Sequence, residues 1–417
     1  MANDEHLSGT VVQLMEKGVR IPNPLGVEIG DDIDPARISG RGVVLHNGTG
    51  LRGEKTLIGP GSVLGAEAPV TVVNCRLGPG VELKGGYFKG SVFLEKANMG
   101  CGAQVREGSI LEEEANGAHT VGLKQTILFP FVTLGSLVNF CDCLMAGGTS
   151  RTDHSEVGSS YIHFNYTPNQ DKATASLIGD VPHGVMLNQP PIFLGGQGGL
   201  VGPARIGFGT VISAGTVYRS DCPEGGKLLS GVNTEAEKAF HPGFYGDVQR
   251  RVSNNVCYLA NLLALKQWYA VVRRPFFHSM ELGDELFKGA LETLDAAISE
   301  RIKRFEALAE KMERSIAIAE KIGTGRKMNN LVTQKRELLE GWPRIKQCFI
   351  DAGDDAGSEV PESFRALIDG EAEKKGDYIT VIRSLDDPSS SAGTVWLQSI
   401  VDGISAKALG VIPSFSS

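Results

Sequence analysis

A six-residue period runs through LVGPARIGFGTVISAGTVY, residues 200–218, where Leu200, Ile206, Ile212 and Tyr218 recur at that interval. Gly202 and Gly207 follow aliphatic positions, and Ala214 and Gly215 keep the corners small. A step of six fits neither the roughly 3.6-residue turn of an α-helix nor the two-residue alternation of a flat strand. It fits a triangular coil whose every side offers one aliphatic side chain to the interior, the repeat that builds parallel β-helices. The same step recurs at Ile58–Leu64, at Leu77–Leu83, through Met99, Val105 and Leu111, and at Val121–Ile127. The phase slips at 112–119 and 129–133, and loops are expected to leave the coil there.

Most of the 53 glycines precede residue 235, after which the chain becomes rich in Ala, Leu, Glu and Lys. The expected organisation is therefore an N-terminal helical cap over 1–25, a left-handed parallel β-helix over 26–235 and an α-helical domain over 236–417, mainly β then α. The cap is the amphipathic segment Val11–Val19, which covers an otherwise open coil end. In the helical part Phe287, Leu291, Leu294, Ile298, Ile302, Phe305, Leu308 and Met312 step by threes and fours, predicting one long amphipathic helix over 284–322. Gly323-Thr-Gly325 breaks it and Asn329–Glu340 returns, forming a helical hairpin. Val252–Tyr269 predicts a more apolar helix ending before Arg273, and 386–391 a loop ahead of a last helix at Val395–Leu409.

A formal net charge of −8 excludes a general nucleic-acid binder, which needs a dominant basic face. No apolar run approaches the ~20 residues that span a bilayer, and MANDEHLSGT lacks the apolar stretch of a secretion signal. The seven cysteines form no Cys-x-x-Cys pair, which points to a reducing cytoplasm. His154 and His163 stand nine apart, not at the five-residue spacing of zinc-holding β-helices, so no metal is expected.

Three triangular prisms packed side by side leave long clefts that suit an extended ligand such as coenzyme A. Acyl transfer in such a cleft needs a base for the acceptor and N–H groups for the oxyanion. Among His46, His119, His154, His163 and His183, attention falls on His154, because Asp153 and Glu156 flank it and either sets its tautomer or raises its pKa. It reads equally as a solvated corner histidine. His163 alternates with Ile162 and Phe164 and so faces either inside or outside. Gly195–Gly199 reads as a coil loop, since no strand–loop–helix unit and no Gly-Lys-Ser/Thr accompanies it.

DHSEVG at 153–158, FNYTPNQDK at 164–172 and LIGD at 177–180 precede the hexapeptides of 200–218. This order resembles the acetyltransferase half of bifunctional UDP-N-acetylglucosamine pyrophosphorylase/glucosamine-1-phosphate N-acetyltransferases, which carry a His-Leu-Ser-Tyr segment, a Cys-Asn-Tyr-Asp-Gly corner, a loop lysine and Ile-Ile-Gly-Asp. The resemblance implies His154 as catalytic base, Asn165 and Tyr166 as substrate contacts and Lys172 as a phosphate-binding lysine. QVREGSIL at 104–111 is similar to the family's His-Val-Arg-Pro-Gly-Ala, implying Arg106 as a phosphate contact. Ala214 is implied as a contact of acetyl-CoA, the cosubstrate, and a homotrimer as the assembly. The family's Val-Lys-Lys-Ser segment falls on Phe140–Cys143, where no lysine stands, and His154 is followed by Ser155-Glu-Val157 rather than Leu-Ser-Tyr. About one coil is missing between His154 and Asn165. No counterpart of the family's nucleotidyltransferase half is present, and the helical part resembles nothing in it. The expected function is acetyl transfer from acetyl-CoA to an aminosugar phosphate or nucleotide sugar. The alternative is a non-catalytic trimeric scaffold that binds a sugar nucleotide or a partner protein.

Overall fold

The computed structural model describes residues 7–231, 237, 239–323, 325–354, 360–374 and 376–415. The expected boundary at 235/236 and Thr324 of the hairpin break lie outside them. Residues up to Leu229 wind a left-handed parallel β-helix of about 11 turns, and helices follow.

Each coil contributes one short strand to each of three parallel ladders. Ladder C runs through Glu28–Ile29, Thr49–Arg52, Val70–Val73 and Gly86–Lys89 and ends at Val217–Tyr218. Ladder B stacks Leu57–Ile58, Arg76–Leu77, Val92–Phe93 and Ile110–Leu111 and continues to Arg205–Ile206. Ladder A joins Val44–Leu45 to Leu228–Leu229. The hexapeptide positions point inward: Leu45, Leu64, Leu83, Met99, Leu134, Val157, Leu194 and Ile212 form one fully buried column. Gly117 interrupts that column, and the flexible Met99 side chain fills the space, its Cε lying 2.8 Å from where a Cβ at Gly117 would stand.

The phase slips do not eject loops. The coil continues through Asn116–Gly117 and Thr133–Leu134, with Glu114 and Phe131 taking the left-handed corner conformation (φ 57° and 70°) that glycine fills elsewhere. The true excursions come later: a hairpin over 148–154, a loop from Asn165 to Thr174, and a segment over 179–192 that contains a single helical turn.

The helices are α1 (Gly9–Lys17), that turn α2 (Val181–Gly184), α3 (Gln249–Trp268), α4 (Arg274–His278), α5 (Gly283–Ile322), α6 (Arg326–Asp354), α7 (Glu362–Glu373), α8 (Tyr378–Arg383) and α9 (Asp387–Gly410). Ser8 caps α1 by accepting from the Val11 amide at 3.2 Å, and Val11 and Leu14 are buried over the first coil. The long helix and its returning partner form as expected, but α6 runs on through Pro343. The 386–391 segment is helical rather than looped, because Asp386 caps α9 by accepting from the Ser389 amide at 2.9 Å and Pro388 fits the first turn. α3 does not stop before Arg273. One π-helical turn, Tyr269–Arg273, carries it into α4.

These helices dock on ladder B. Its outward residues Leu57, Val92, Ile110, Ile127, Leu144 and Leu177 are as buried as the inward ones. α5 packs on the strands at Arg76 and Val92, and α3 on the strand at Leu177. Buried charge accompanies the contact. Arg273 meets Glu112 at 3.2 Å and also pairs with Glu113, its guanidinium lying 4.0 Å from the Tyr378 ring centroid. The Tyr269 hydroxyl donates to Glu112 at 2.6 Å. The acidic run that breaks the hexapeptide phase therefore serves this interface.

Burial pushes the Glu112 carboxyl up to about 7; Arg273 pulls it back, and Glu113 adds to the rise. A folded-state value above the unfolded one contributes stability at low pH that is lost as pH rises from about 4.5 through about 7. Glu112→Gln keeps an acceptor for Tyr269 and removes the titration. In urea unfolding at about pH 5 and about pH 8, the wild-type protein is expected to lose up to about 3 kcal/mol more than the variant. Equal losses would remove Glu112 as the titrating group.

Candidate functional site

Where ladder C turns into ladder B, successive coils are closed by Asn74, Gly90, Gly108, Gln125 and Asp142, with φ of 52°, 57°, 77°, 53° and 60°. The left-handed conformation is needed for the tight turn, and a stack of such turns makes one straight edge of the prism. Val105 pairs with Leu123, and Lys124 with Cys141. Arg106 and Lys124 therefore leave successive coils side by side, each pointing outward beside an inward aliphatic residue.

The next coil departs from the pattern. After Phe164 the chain leaves the prism, and this loop carries Asn165, Tyr166 and Lys172. The Asn165 amide donates to Asp142 Oδ2 at 2.6 Å, and Lys172 Nζ lies 5.9 Å from the Tyr166 ring centroid. The loop is tied to the helices. Tyr245 donates to Asp171 Oδ2 at 2.9 Å, and Lys311 to the carbonyls of Asn169 and Gln170 at 3.0 Å each.

Together these segments enclose a pocket of about 350 Å³ lined by Arg106, Lys124, Asn165 and Lys172 from the coil side and by Glu300, Arg301 and Arg304 of α5. Arg301 is paired with Asp142 at 2.7 Å and Arg304 with Glu300 at 2.6 Å. Arg106, Lys124 and Lys172 make no ion pair among the described residues. Three cations without ion-pair partners therefore stand around one amide, an arrangement whose charge suits an anion. A groove of about 490 Å³ along ladder C, floored by Gly122, shares Arg106, Asn139 and Cys141 with it.

The pocket thus brings together Arg106, Asn165 and Lys172, with Tyr166 beside Lys172. The segment at Phe140–Cys143 carries no lysine, but Lys124 of the preceding coil lines the same pocket. That residue was legible, since it stands eighteen residues, three hexapeptides, after Arg106. Arg301 and Asp142 carried no such signal.

His154 and Ala214 lie on the other two edges. His154 is in the 148–154 hairpin at the turn from ladder B to ladder A, 19% exposed, with Nε2 4.0 Å from Glu156. Asp153 accepts from the Thr149 hydroxyl at 2.8 Å, and Glu156 is the carboxylate found within 4.0 Å of the ring among the described residues. Ala214 is exposed at the turn from ladder A to ladder C. There the coils stack so closely that a Cβ at Gly195 would meet the Ala214 nitrogen at 2.3 Å, which accounts for the start of the glycine run.

His163 faces inward. It sits in the prism between Phe140 and Leu200, with Nδ1 2.6 Å from the Cys141 carbonyl and Nε2 2.7 Å from Ser176 Oγ. A carbonyl only accepts, so Nδ1 carries the proton. Ser176 Oγ accepts from the Ala204 amide and donates to Nε2. The ring is thereby satisfied as a neutral imidazole.

No family model matches the chain. Over 214 residues, 51% of the chain, it is 26% identical to the bifunctional protein GlmU of Thermotoga petrophila, covering 42% of that protein. It is 26% identical over 222 residues to the GlmU of Corynebacterium glutamicum, 53% of this chain and 41% of that one. The match to the Nocardia farcinica GlmU is 27% over 217 residues, 52% and 39%. The chain spans less than half the length of these relatives. No helix among the described residues is long and apolar enough to cross a membrane.

Burial pushes the His163 imidazole down to about 4. An unfolded value near 6.5 above the folded one means stability is lost as pH falls from about 6.5 through about 4. In proton NMR with selectively labelled histidine, the His163 ring signals are expected to stay fixed from about pH 8 to about pH 5 while exposed histidines titrate. A midpoint near 6.5 for this ring would contradict its burial.

Proposed function

We propose that this chain holds the phosphate of a sugar phosphate or nucleotide sugar in the pocket of Arg106, Lys124, Asn165 and Lys172, and moves an acetyl group from acetyl-CoA to the sugar amine. The observation that carries this is the convergence of three cations without ion-pair partners on one pocket of about 350 Å³. A phosphate dianion there gains charge-assisted hydrogen bonds that water supplies less well. Tyr166 stands beside Lys172, its ring centroid 5.9 Å from Nζ. The resemblance to GlmU proteins over half of the chain supports the choice of sugar and acyl donor.

In the transfer, the acceptor nitrogen attacks the thioester carbonyl, a base removes the ammonium proton, and the tetrahedral oxyanion collapses with expulsion of the coenzyme thiol. His154, with Glu156 4.0 Å away, is the proposed base. Ala214 is the proposed coenzyme contact, and the working form is a cytoplasmic homotrimer. A second reading, phosphosugar binding without chemistry, is favoured by one observation: no histidine lines the pocket, and His154 stands on another edge of the same prism.

Titration calorimetry with glucosamine 1-phosphate, a UDP-sugar and acetyl-CoA separates the two. Arg106→Ala and Lys172→Ala are each expected to weaken binding of the phosphosugar about tenfold or more. His154→Ala is expected to reduce acetyl transfer by about 10² to 10⁴ with binding intact. Binding of phosphosugar with no transfer to any aminosugar phosphate establishes the second reading. Failure of both phosphate-bearing ligands to bind would falsify the pocket assignment.

A further inference from the structure

We infer that Arg301 of α5 positions Asn165 through Asp142, so that the helical domain is part of the binding site and sets its preference for a phosphate that carries a nearby hydroxyl or amine. The inference rests on the phosphosugar pocket proposed above.

Three segments far apart in sequence meet in a line. Arg301 Nη2 lies 2.7 Å from Asp142 Oδ1, and Asp142 Oδ2 accepts from Asn165 Nδ2 at 2.6 Å. The ion pair is buried, its side chains only 4% and 6% exposed. Asp142 stands in the corner position that Asn74, Gly90, Gly108 and Gln125 fill in other coils, and it is the only carboxylate of the five. A carboxylate at φ 60° combines an uncommon backbone conformation with burial of charge. Glycine at this corner avoids both costs. Nε and Nη1 of Arg301 have no hydrogen-bond partner, so Asp142 is the guanidinium's one compensation among the described residues.

The chemistry of the line fixes the orientation of an amide. A carboxylate only accepts, so it holds the Nδ2 side of Asn165, and Oδ1 is left as an acceptor in a pocket that also holds the cations Arg106, Lys124 and Lys172, with the carboxylates of Asp142 and Glu300 already engaged by Arg301 and Arg304. Arg106, Lys124 and Lys172 suit phosphate oxygens, whereas Oδ1 suits an O–H or N–H of the sugar. Without Asp142 the amide is free to flip and present either group. Arg301 holds the Asp142 carboxyl in place at 2.7 Å, and it comes from a helix that the coil's own repeat does not supply.

Affinity for glucosamine 1-phosphate and for inorganic phosphate, measured by calorimetry on the full chain, tests this. Asn165→Ala is expected to weaken the sugar phosphate about tenfold while inorganic phosphate changes less than about twofold. Asp142→Gly with Arg301→Met removes both buried charges and suits the corner backbone. It is expected to show the same selective loss, and adding Asn165→Ala to it to cost nothing further. If the double variant fails to fold, Arg301→Lys carries the test, because it keeps the charge, loses the directed contact and must still lose selectivity. Parallel weakening of both ligands, or additive losses in the triple variant, overturns the positioning role and leaves the pocket standing. A wild-type protein that binds neither ligand overturns the pocket and this role together.

Discussion

Ladder B carries apolar side chains on both of its faces, Ile58, Leu77, Phe93 and Leu111 inside and Leu57, Val92, Ile110, Leu144 and Leu177 outside. A strand surface of that kind must be covered, as in parallel sheets flanked by helices. Each outward aliphatic side chain contributes about 1.5–3 kcal/mol when buried. The helical domain is thus held as the second layer of the β-helix. Once α5 lies along this face, its polar side reaches the edge where ladder C becomes ladder B. The pocket wall, the clamp on the loop and the partner of Asp142 all follow from that placement.

The contact is not apolar throughout. Arg273 with Glu112 and Glu113, Arg301 with Asp142, and Arg76 with Glu292 at 2.6 Å are buried or half-buried pairs along the same boundary. Such pairs add little net stability over aliphatic contacts but are costly to break singly. A long helix sliding by one turn on an aliphatic surface would lose few dispersion contacts. It would leave Asp142 and Arg76 without Arg301 and Glu292. The charges therefore select one docking register, and that register sets which α5 residues line the pocket.

The coil was legible because its signal is local: Leu200, Ile206, Ile212 and Tyr218 announce it without any knowledge of the rest. The two-faced burial was also written locally, in the doublets Leu57-Ile58, Val92-Phe93, Ile110-Leu111, Leu144-Met145 and Leu177-Ile178, but a search for one inward residue per side passes over the second. Glu112 and Glu113 misled for the opposite reason. Their polarity is answered by Arg273, some 160 residues away, and looks like a loop until that partner is in place. Arg106, Asn165 and Lys172 were found by motif, and Lys124 follows from coil length. Arg301 and Asp142 follow from neither, since their pairing exists only after the two domains dock.

A triangular prism has three edges, and this chain spreads its proposed acyl-transfer residues over all of them. The proposed phosphate pocket stands where ladder C meets B, His154 where B meets A, and Ala214 where A meets C. No bending of a closed coil brings two of its own edges into one cleft, because the ladders between them are held by continuous backbone hydrogen bonds. Prisms packed side by side do so, one edge from each copy. Chemistry that uses His154 on a phosphosugar in the pocket therefore entails an assembly, whereas phosphosugar binding does not. The helices already occupy the face of ladder B, which leaves ladders A and C to meet another copy. Outward residues there include Phe193, Val211 and Leu228 in direct register on ladder A, and Ile162 on ladder C, all exposed in the single chain. Oligomeric state and catalytic competence are for this molecule one physical question.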